Sequence, residues 1–349
     1  MNNTKLIDFL GQKHTLSQEQ YRELLTTATA EDDTYLHKAA RAACEKVYGK
    51  RIFYRGLIEI SNICKNDCYY CGIRRSNTAC ERYRLSQQQI LSCCEEGYKL
   101  GFRTFVLQGG EDGFFTDNLL CEIISKIKRS YSDCAVTLSL GERSKESYRQ
   151  LKEAGADRYL LRHETIDPTH YGQLHPRQMK HENRLACLQA LRECGYQVGC
   201  GFMVGSPGQD VGMLVKELMF IEKFRPEMCG IGPFIPHKDT PFGQQKAGSV
   251  TLTLRLLSCI RLICPDILLP ATTALASLSE DGRIKGIEAG ANVVMPNLSP
   301  SDVREKYTLY NNKAYAGHES AQQVQQLQQL MQSAGFLLSC ERGDIERKM

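Results

Sequence analysis

A closed barrel of eight parallel strands, each followed by a helix, is the fold that this sequence predicts, with helical extensions at both ends. Two observations predict it. Four times the chain runs from a helix-like segment through a glycine into a short apolar stretch: Leu100-Gly101 before 104–107, Ala154-Gly155 before 159–161, Cys194-Gly195 before 198–204, and Ala289-Gly290 before 293–295. Glycine just past a helix supplies the left-handed cap, and a short continuous apolar run after it reads as a buried parallel strand. Further apolar runs at 52–60, 135–140, 228–231 and 268–271 bring the total to eight strands in order, separated by helical patterns. The chain's 349 residues suit one such barrel, which takes about 250 residues plus extensions. A doubly wound open sheet shares the alternation, because sequence does not show closure.

Residues 1 to 50 are polar and helical in pattern and are expected to form an extension covering one end of the barrel, which itself takes residues 51–300. Within the barrel, Ser86 and Gln89 make a capping box ahead of Ile90, Cys94 and Tyr98, and Leu120, Ile123, Ile124 and Ile127 share one helical face. Residues 301–349 form a C-terminal extension covering the barrel. There Gln322, Gln323, Gln325, Gln326, Gln328 and Gln329 surround Val324, Leu327, Leu330 and Met331 at helical spacing, the pattern of a solvated cover without chemistry.

Composition narrows the function classes. The formal charge is +4, with no lysine-arginine run interleaved with aromatics, so no nucleic-acid partner is indicated. No stretch of about 18 apolar residues is present to cross a bilayer, and the start Met1-Asn2-Asn3-Thr4-Lys5 lacks the plan of an export signal. A cytoplasmic protein is expected. Most of its sixteen cysteines are scattered singly, and Cys93, Cys94, Cys187, Cys194, Cys259 and Cys264 read as small core residues.

Cys64, Cys68 and Cys71 are different. Thiolates are the preferred ligands of iron-sulfur clusters, and a cube of four irons normally takes four, so a tight set of three leaves one iron open to a small molecule. A zinc site would need a second ligand pair elsewhere, which is not found; a disulfide pair, or Cys80 as a fourth ligand in an electron-transfer cluster, are the other readings of the same residues. The C-x3-C-x2-C spacing with Tyr70 before the last cysteine resembles the signature of radical S-adenosylmethionine (SAM) enzymes, whose cluster splits SAM into methionine and a 5'-deoxyadenosyl radical.

In a barrel the residues just past each strand build the active face. The first strand runs into the cysteine loop. The second ends in Gly109-Gly110-Glu111, an ordinary turn on its own, but in radical SAM enzymes a Gly-Gly-Glu stretch at this place holds the amino group of SAM. Thr137 and Ser139 share one face of the third strand, and Arg162 and Glu164 one face of the fourth. Inward charges in a barrel are costly unless paired or bound to ligand: a carboxylate suits ribose hydroxyls and a guanidinium suits a substrate carboxylate, while a mutual ion pair holding a loop is the plainer reading. His163 points the other way and reads as structural. Arg184, early in a helix, reads either as an exposed arginine or as a partner for the SAM carboxylate. Thr272, Thr273 and Tyr307 add hydroxyls at later strand ends. No base, nucleophile or triad stands out, consistent with a cofactor that carries the hard chemistry.

Longer runs resemble the FeFe-hydrogenase H-cluster maturases of the HydE type: 71–75, 106–108, 136–142, 155–165, 230–237 and 269–274, together spanning residues 50 to 310. The resemblance implies a radical SAM (βα)8 TIM barrel with one open-site 4Fe-4S cluster and SAM. It implies that Cys64, Cys68 and Cys71 bind the cluster, that Tyr70, Gly109, Gly110, Glu111, Ser139, Glu164 and Arg184 bind SAM, and that Thr137, Arg162, Thr272, Thr273 and Tyr307 line the substrate cavity. The implied substrate is a sulfur-containing, cysteine-ligated Fe-CO-CN complex, and the implied partners are other hydrogenase maturases and an electron donor such as ferredoxin or flavodoxin. Some relatives carry a second, C-terminal cysteine set, whereas only Cys340 follows Cys264 here, so one cluster is expected. Biotin synthase, methylornithine synthase and a non-enzymatic iron-sulfur carrier are the alternatives.

Overall fold

The computed structural model describes residues 2–313 and 321–345. Three helices, α1 (Asn3–Lys13), α2 (Gln18–Thr27) and α3 (Ala30–Tyr48), precede β1 (Arg51–Tyr54), which runs through Arg55 into β2 (Gly56–Ser61). The alternation that follows is β3 (Thr104–Gly109), β4 (Ala135–Ser139), β5 (Arg158–Leu160), β6 (Gln197–Cys200), β7 (Met203–Val204), β8 (Met228–Cys229), β9 (Gly232–Pro233), β10 (Val293–Val294) and, near the C-terminus, β11 (Leu337–Ser339). Between them lie α4 (Gln87–Lys99), α5 (Asp117–Ser130), α6 (Lys145–Glu153), α7 (Pro168–Leu174), α8 (His181–Glu193), α9 (Val211–Phe224), α10 (Val250–Ile263), α11 (Thr273–Leu278), α12 (Gly282–Glu288), α13 (Ser301–Arg304) and α14 (Val324–Ser333).

Strands β2, β3, β4, β5, β6 and β8 pair in that order in one parallel sheet. Backbone hydrogen bonds carry the ladder onward and shut it. Cys229 N donates to Leu268 O (3.1 Å), Ala271 N to Val293 O (2.9 Å), and Leu57 N to Pro296 O (2.9 Å), with Leu298 N returning to Leu57 O (2.7 Å). Eight staves therefore close into a barrel, and the open-sheet alternative is excluded. The stave at 268–271 makes only bridges at Leu268 and Pro270, because Pro270 has no N–H to donate.

Two apolar runs break where sequence suggested one strand. A Cβ at Gly201 would stand 2.0 Å from Gly230 O, so the chain bends between Cys200 and Met203, and β7 then pairs with β9. Strand alternation separates two layers. Ile58, Ile60, Phe105, Leu107, Val136 and Leu138 join the core between sheet and helices. Glu59, Gln108, Thr137 and Ser139 alternate with them and face the barrel interior.

The N-terminal helices lie against α9, α10 and α12 and buttress the wall, where an end cover was expected. Their anchor is a bidentate pair: Arg255 Nε and Nη2 donate to Asp33 Oδ1 (2.6 Å) and Oδ2 (2.8 Å), and Nη1 to Leu25 O (2.8 Å). Both side chains are largely buried. Asp33→Asn is expected to lower stability by about 2 kcal/mol, the worth of a charge-assisted bond to a guanidinium, read as a lower denaturant midpoint at unchanged slope.

The strand-start end is closed by the C-terminal segment. β11 pairs with β1, Thr104 Oγ1 donates to Arg342 O (2.8 Å), Arg55 Nη2 to Gly343 O (3.1 Å), and Arg158 pairs with Asp344. In the glutamine-rich α14, Leu327 and Met331 are buried. Residues 314–320 and 346–349 of the 301–349 extension lie outside the described residues.

Candidate active site at the barrel mouth

The loop from Cys64 to Cys71 has no regular structure, so its shape is set by hydrogen bonds to its surroundings. Lys65 N donates to Glu111 O (2.9 Å), Tyr69 N to Leu174 O (3.0 Å) and Gly72 N to Leu309 O (2.9 Å). Arg82 ties the far side together through the carbonyls of Asn62 (2.6 Å), Ile73 (2.8 Å) and Arg74 (2.6 Å). Gly110 is needed for contact rather than for flexibility. A Cβ there would stand 2.3 Å from Ile63 O and 2.8 Å from Cys64 Cβ, so only glycine lets the end of β3 touch the cysteine loop.

All three thiols are half-buried in this one loop. Burial raises the Cys64 pKa; burial and then Cys71 and Cys64 push Cys68 well up; burial and then Cys64 push Cys71 up to about 12. Three thiolates gathered like this need a strong positive charge among them, and that charge would invert those shifts. None of the sixteen cysteines, all among the described residues, forms a disulfide, which removes the disulfide reading. The Cys64 sulfur accepts from Glu111 N at 3.3 Å. Cys80 is engaged by Asn62 Nδ2 at 3.5 Å.

Tyr70 is partly buried beside this set, its OH 3.1 Å from His175 Nε2, and Tyr171 stacks on His175 with centroids 3.9 Å apart. Burial drives the His175 pKa from 6.5 down to about 3. The unfolded chain thus binds the extra proton, so the stability gained by keeping His175 neutral is complete above pH 6.5 and is lost as pH falls toward 3. Between pH 8 and pH 5 the protein should lose about 2 kcal/mol through this group, and His175→Gln should flatten that part of a stability-versus-pH curve from denaturant unfolding.

Arg184, early in α8, is buried rather than exposed. Its Nε lies 2.8 Å from Glu142 Oε1 and its Nη2 3.8 Å from Glu111 Oε1, while Lys65 Nζ reaches Glu111 Oε2 at 3.2 Å. Arg162 and Glu164 lie in the loop beyond β5, not on its strand face, since β5 ends at Leu160 and Glu164 takes a left-handed φ of 65°. Their Nη2 and Oε2 atoms stand 3.2 Å apart, the ion pair that was the plainer expectation. Yet neither atom finds a hydrogen-bond partner among the described residues, nor do Arg162 Nε, Thr137 Oγ1, Thr272 Oγ1 and Tyr171 OH, all buried. Buried polar atoms are normally paired, so this set fits a polar ligand that is held by both its anionic and hydroxyl groups.

Ser139 ends β4 in register with Gln108, and Thr273 opens α11 beside Thr272. Tyr307 is buried, and Lys313 Nζ donates to its carbonyl (2.8 Å) while pairing with Glu59 Oε1 at 2.5 Å. Glu59, Lys65, Glu142, Tyr171, His175 and Lys313 belong to this constellation and were not singled out from sequence. Inward alternation on β2 was the one available signal, for Glu59. A groove of about 560 Å³ between α4 and the segment 298–304 holds none of these residues.

Residues 58–221 match the radical SAM superfamily. The FeFe hydrogenase maturase subunit HydE of Thermotoga maritima is 42% identical over 302 residues, covering 86% of this chain and 86% of the relative. The chain belongs to the HydE-type family of radical SAM proteins. The 3-methylornithine synthase of Methanosarcina acetivorans stands further from it, at 29% identity over 305 residues, covering 86% of this chain and 85% of that one. Among solved structures, methylornithine synthase (PylB) superposes with a TM-score of 0.83 at 25% identity, over 96% of this chain and 97% of that chain. The maturase HydG from Carboxydothermus hydrogenoformans gives 0.80 at 22%, over 97% of this chain and 79% of that chain, a likeness of fold alone. The HydE-type barrel is thus shared with enzymes of other substrates. No helix among its described residues is long and apolar enough to cross a membrane.

Proposed function

We propose that this chain is a radical SAM enzyme of FeFe-hydrogenase assembly that acts on a small sulfur-containing substrate, a cysteine-ligated Fe-CO-CN complex. The observation that carries the reading is the meeting of three half-buried thiols in one loop with unpaired polar atoms just inside a closed barrel, in a chain 42% identical to HydE. A 4Fe-4S cluster and SAM supply, when bound, the reductive cleavage that yields methionine and a 5'-deoxyadenosyl radical. Cys64, Cys68 and Cys71 hold the cluster. Gly109, Gly110 and Glu111 present carbonyl and carboxylate oxygens to the SAM ammonium, Arg184 takes its carboxylate, and Ser139, Glu164 and Tyr70 take the adenosyl part. Arg162, Thr137, Thr272, Thr273 and Tyr307 orient the substrate by hydrogen bonds from neutral hydroxyls and one cation. Other maturases supply and receive the metal complex, and a ferredoxin or flavodoxin supplies the electron. Sixteen cysteines with no disulfide among them support a reducing, cytoplasmic setting.

Anaerobically reconstituted protein given dithionite and SAM should release 5'-deoxyadenosine, and addition of the iron complex should accelerate the release and give a new paramagnetic species. No 5'-deoxyadenosine at all would rule out the enzyme and leave a cluster carrier, tested by transfer of its iron to an apo-protein. Turnover of lysine to methylornithine would move the chain to the PylB branch.

A further inference from the structure

Glu217 lies in the middle of α9 and is completely buried, as is its partner His163. A carboxylate on the packed face of a helix is costly to desolvate, and an apolar residue would fill the space as well, so its hydrogen bonds show what it does there. Oε2 stands 2.7 Å from His163 Nε2, and Oε1 accepts from Ile166 N at 2.6 Å. These two contacts bracket Glu164, one residue before it and two after it. The neighbouring Lys216 grips the end of the same loop, with Nζ 2.7 Å from Asp167 Oδ2.

Glu164 needs such a grip. Its φ of 65° is uncommon for a residue with a side chain and persists only where the surroundings over-determine it. Its own backbone is fixed as well, with Glu164 N donating to Gly201 O (3.0 Å) and Met203 N donating to Glu164 O (3.2 Å). The consequence is directional. His163 turns outward to α9, where its ring packs against Phe220 at 4.9 Å, and the next residue is thereby turned inward to the barrel mouth.

We propose that Glu217 is a positioning residue for SAM: through His163 Nε2 and Ile166 N–H it locks the left-handed turn that aims the Glu164 carboxylate into the mouth. This rests on the reading that Glu164 holds the adenosyl part of SAM. His163 Nε2 faces Glu217 Oε2, and its Nδ1 has no partner among the described residues.

The test is a double-mutant cycle read by the equilibrium Kd of SAM on the reconstituted enzyme, together with hydrogen exchange of segment 163–167. Glu217→Leu should weaken SAM binding roughly tenfold, about 1.4 kcal/mol, and speed exchange at Ile166. In a Glu164→Ala background the same substitution should change Kd by less than about twofold, because a residue acting through Glu164 has nothing left to position. Glu217→Gln keeps an acceptor for Ile166 N–H and should recover most of the affinity. If Glu217→Leu does not accumulate, His163→Phe, which keeps the ring against Phe220 but removes Nε2, should show the same loss and the same non-additivity. An unchanged Kd with Glu164→Ala still weakening SAM would overturn the positioning role alone, as would an equal loss in both backgrounds. An unchanged Kd on Glu164→Ala would overturn the parent reading and this role with it.

Discussion

Cys68→Ala is expected to cut 5'-deoxyadenosine formation by about 10²-fold or more, since even residues that merely support metal ligands cost 10- to 100-fold when removed. The loss should come with a fall in bound iron and sulfide but with no loss of fold. Cys68 lies in a loop without regular structure, its thiolate is disfavoured by burial and by its two neighbours, and its Sγ makes a weak 3.8 Å contact with Met179 Sδ, so removing it costs the metal-free protein little. Cys80→Ala is the matched control. With three protein ligands, Cys80→Ala should keep its cluster, its response to added SAM and its product; if it loses the cluster while Cys68→Ala retains one, the open-iron reading falls. Iron and sulfide assay with electron paramagnetic resonance on oxygen-free material reads both.

The barrel was legible in the sequence because a stave buried on both faces leaves a run of apolar residues, and a helix end leaves its glycine. Its interruptions were less so. The bend between β6 and β7 follows from the approach of Gly201 to Gly230, a contact between distant residues that no local pattern encodes. Ligand types repeated at short spacing, as in Cys64, Cys68 and Cys71, could be read directly. Arg162 and Glu164 were found by type and spacing, but the assumed strand face was wrong: the chain leaves β5 at Leu160, and Glu164 enters a left-handed turn held by the distant Glu217. Gly110 was marked by its place in the Gly-Gly-Glu stretch, whereas the structure shows a steric need, contact with Ile63 and Cys64. Glu142 and Lys313 stayed hidden because a charged residue in a loop looks solvated until Arg184 or Glu59 is seen opposite it.

Arg184→Leu is expected to weaken SAM binding by roughly 100-fold and to lower stability by about 3 kcal/mol, the range for removing one partner of a buried ionic group. Burial works against the charge of Arg184, but Glu142, then Tyr171 and Glu111, outweigh it and raise its pKa. Leucine would leave two carboxylates facing each other with only Lys65 to compensate, and Lys65 is itself mostly exposed. Burial already raises the pKa of Glu142, so loss of the guanidinium should move it further up. The two losses separate cleanly. Arg184→Lys keeps a charge for Glu142 and should recover most of the stability, but its single ammonium lacks the planar fork that meets a carboxylate at two points, so SAM affinity should remain well below that of the native protein. Recovery of both together would make Arg184 a structural cation and assign the SAM carboxylate to another group, whereas recovery of stability alone identifies the guanidinium with the ligand. Denaturant unfolding and SAM titration of the reconstituted variants decide between them.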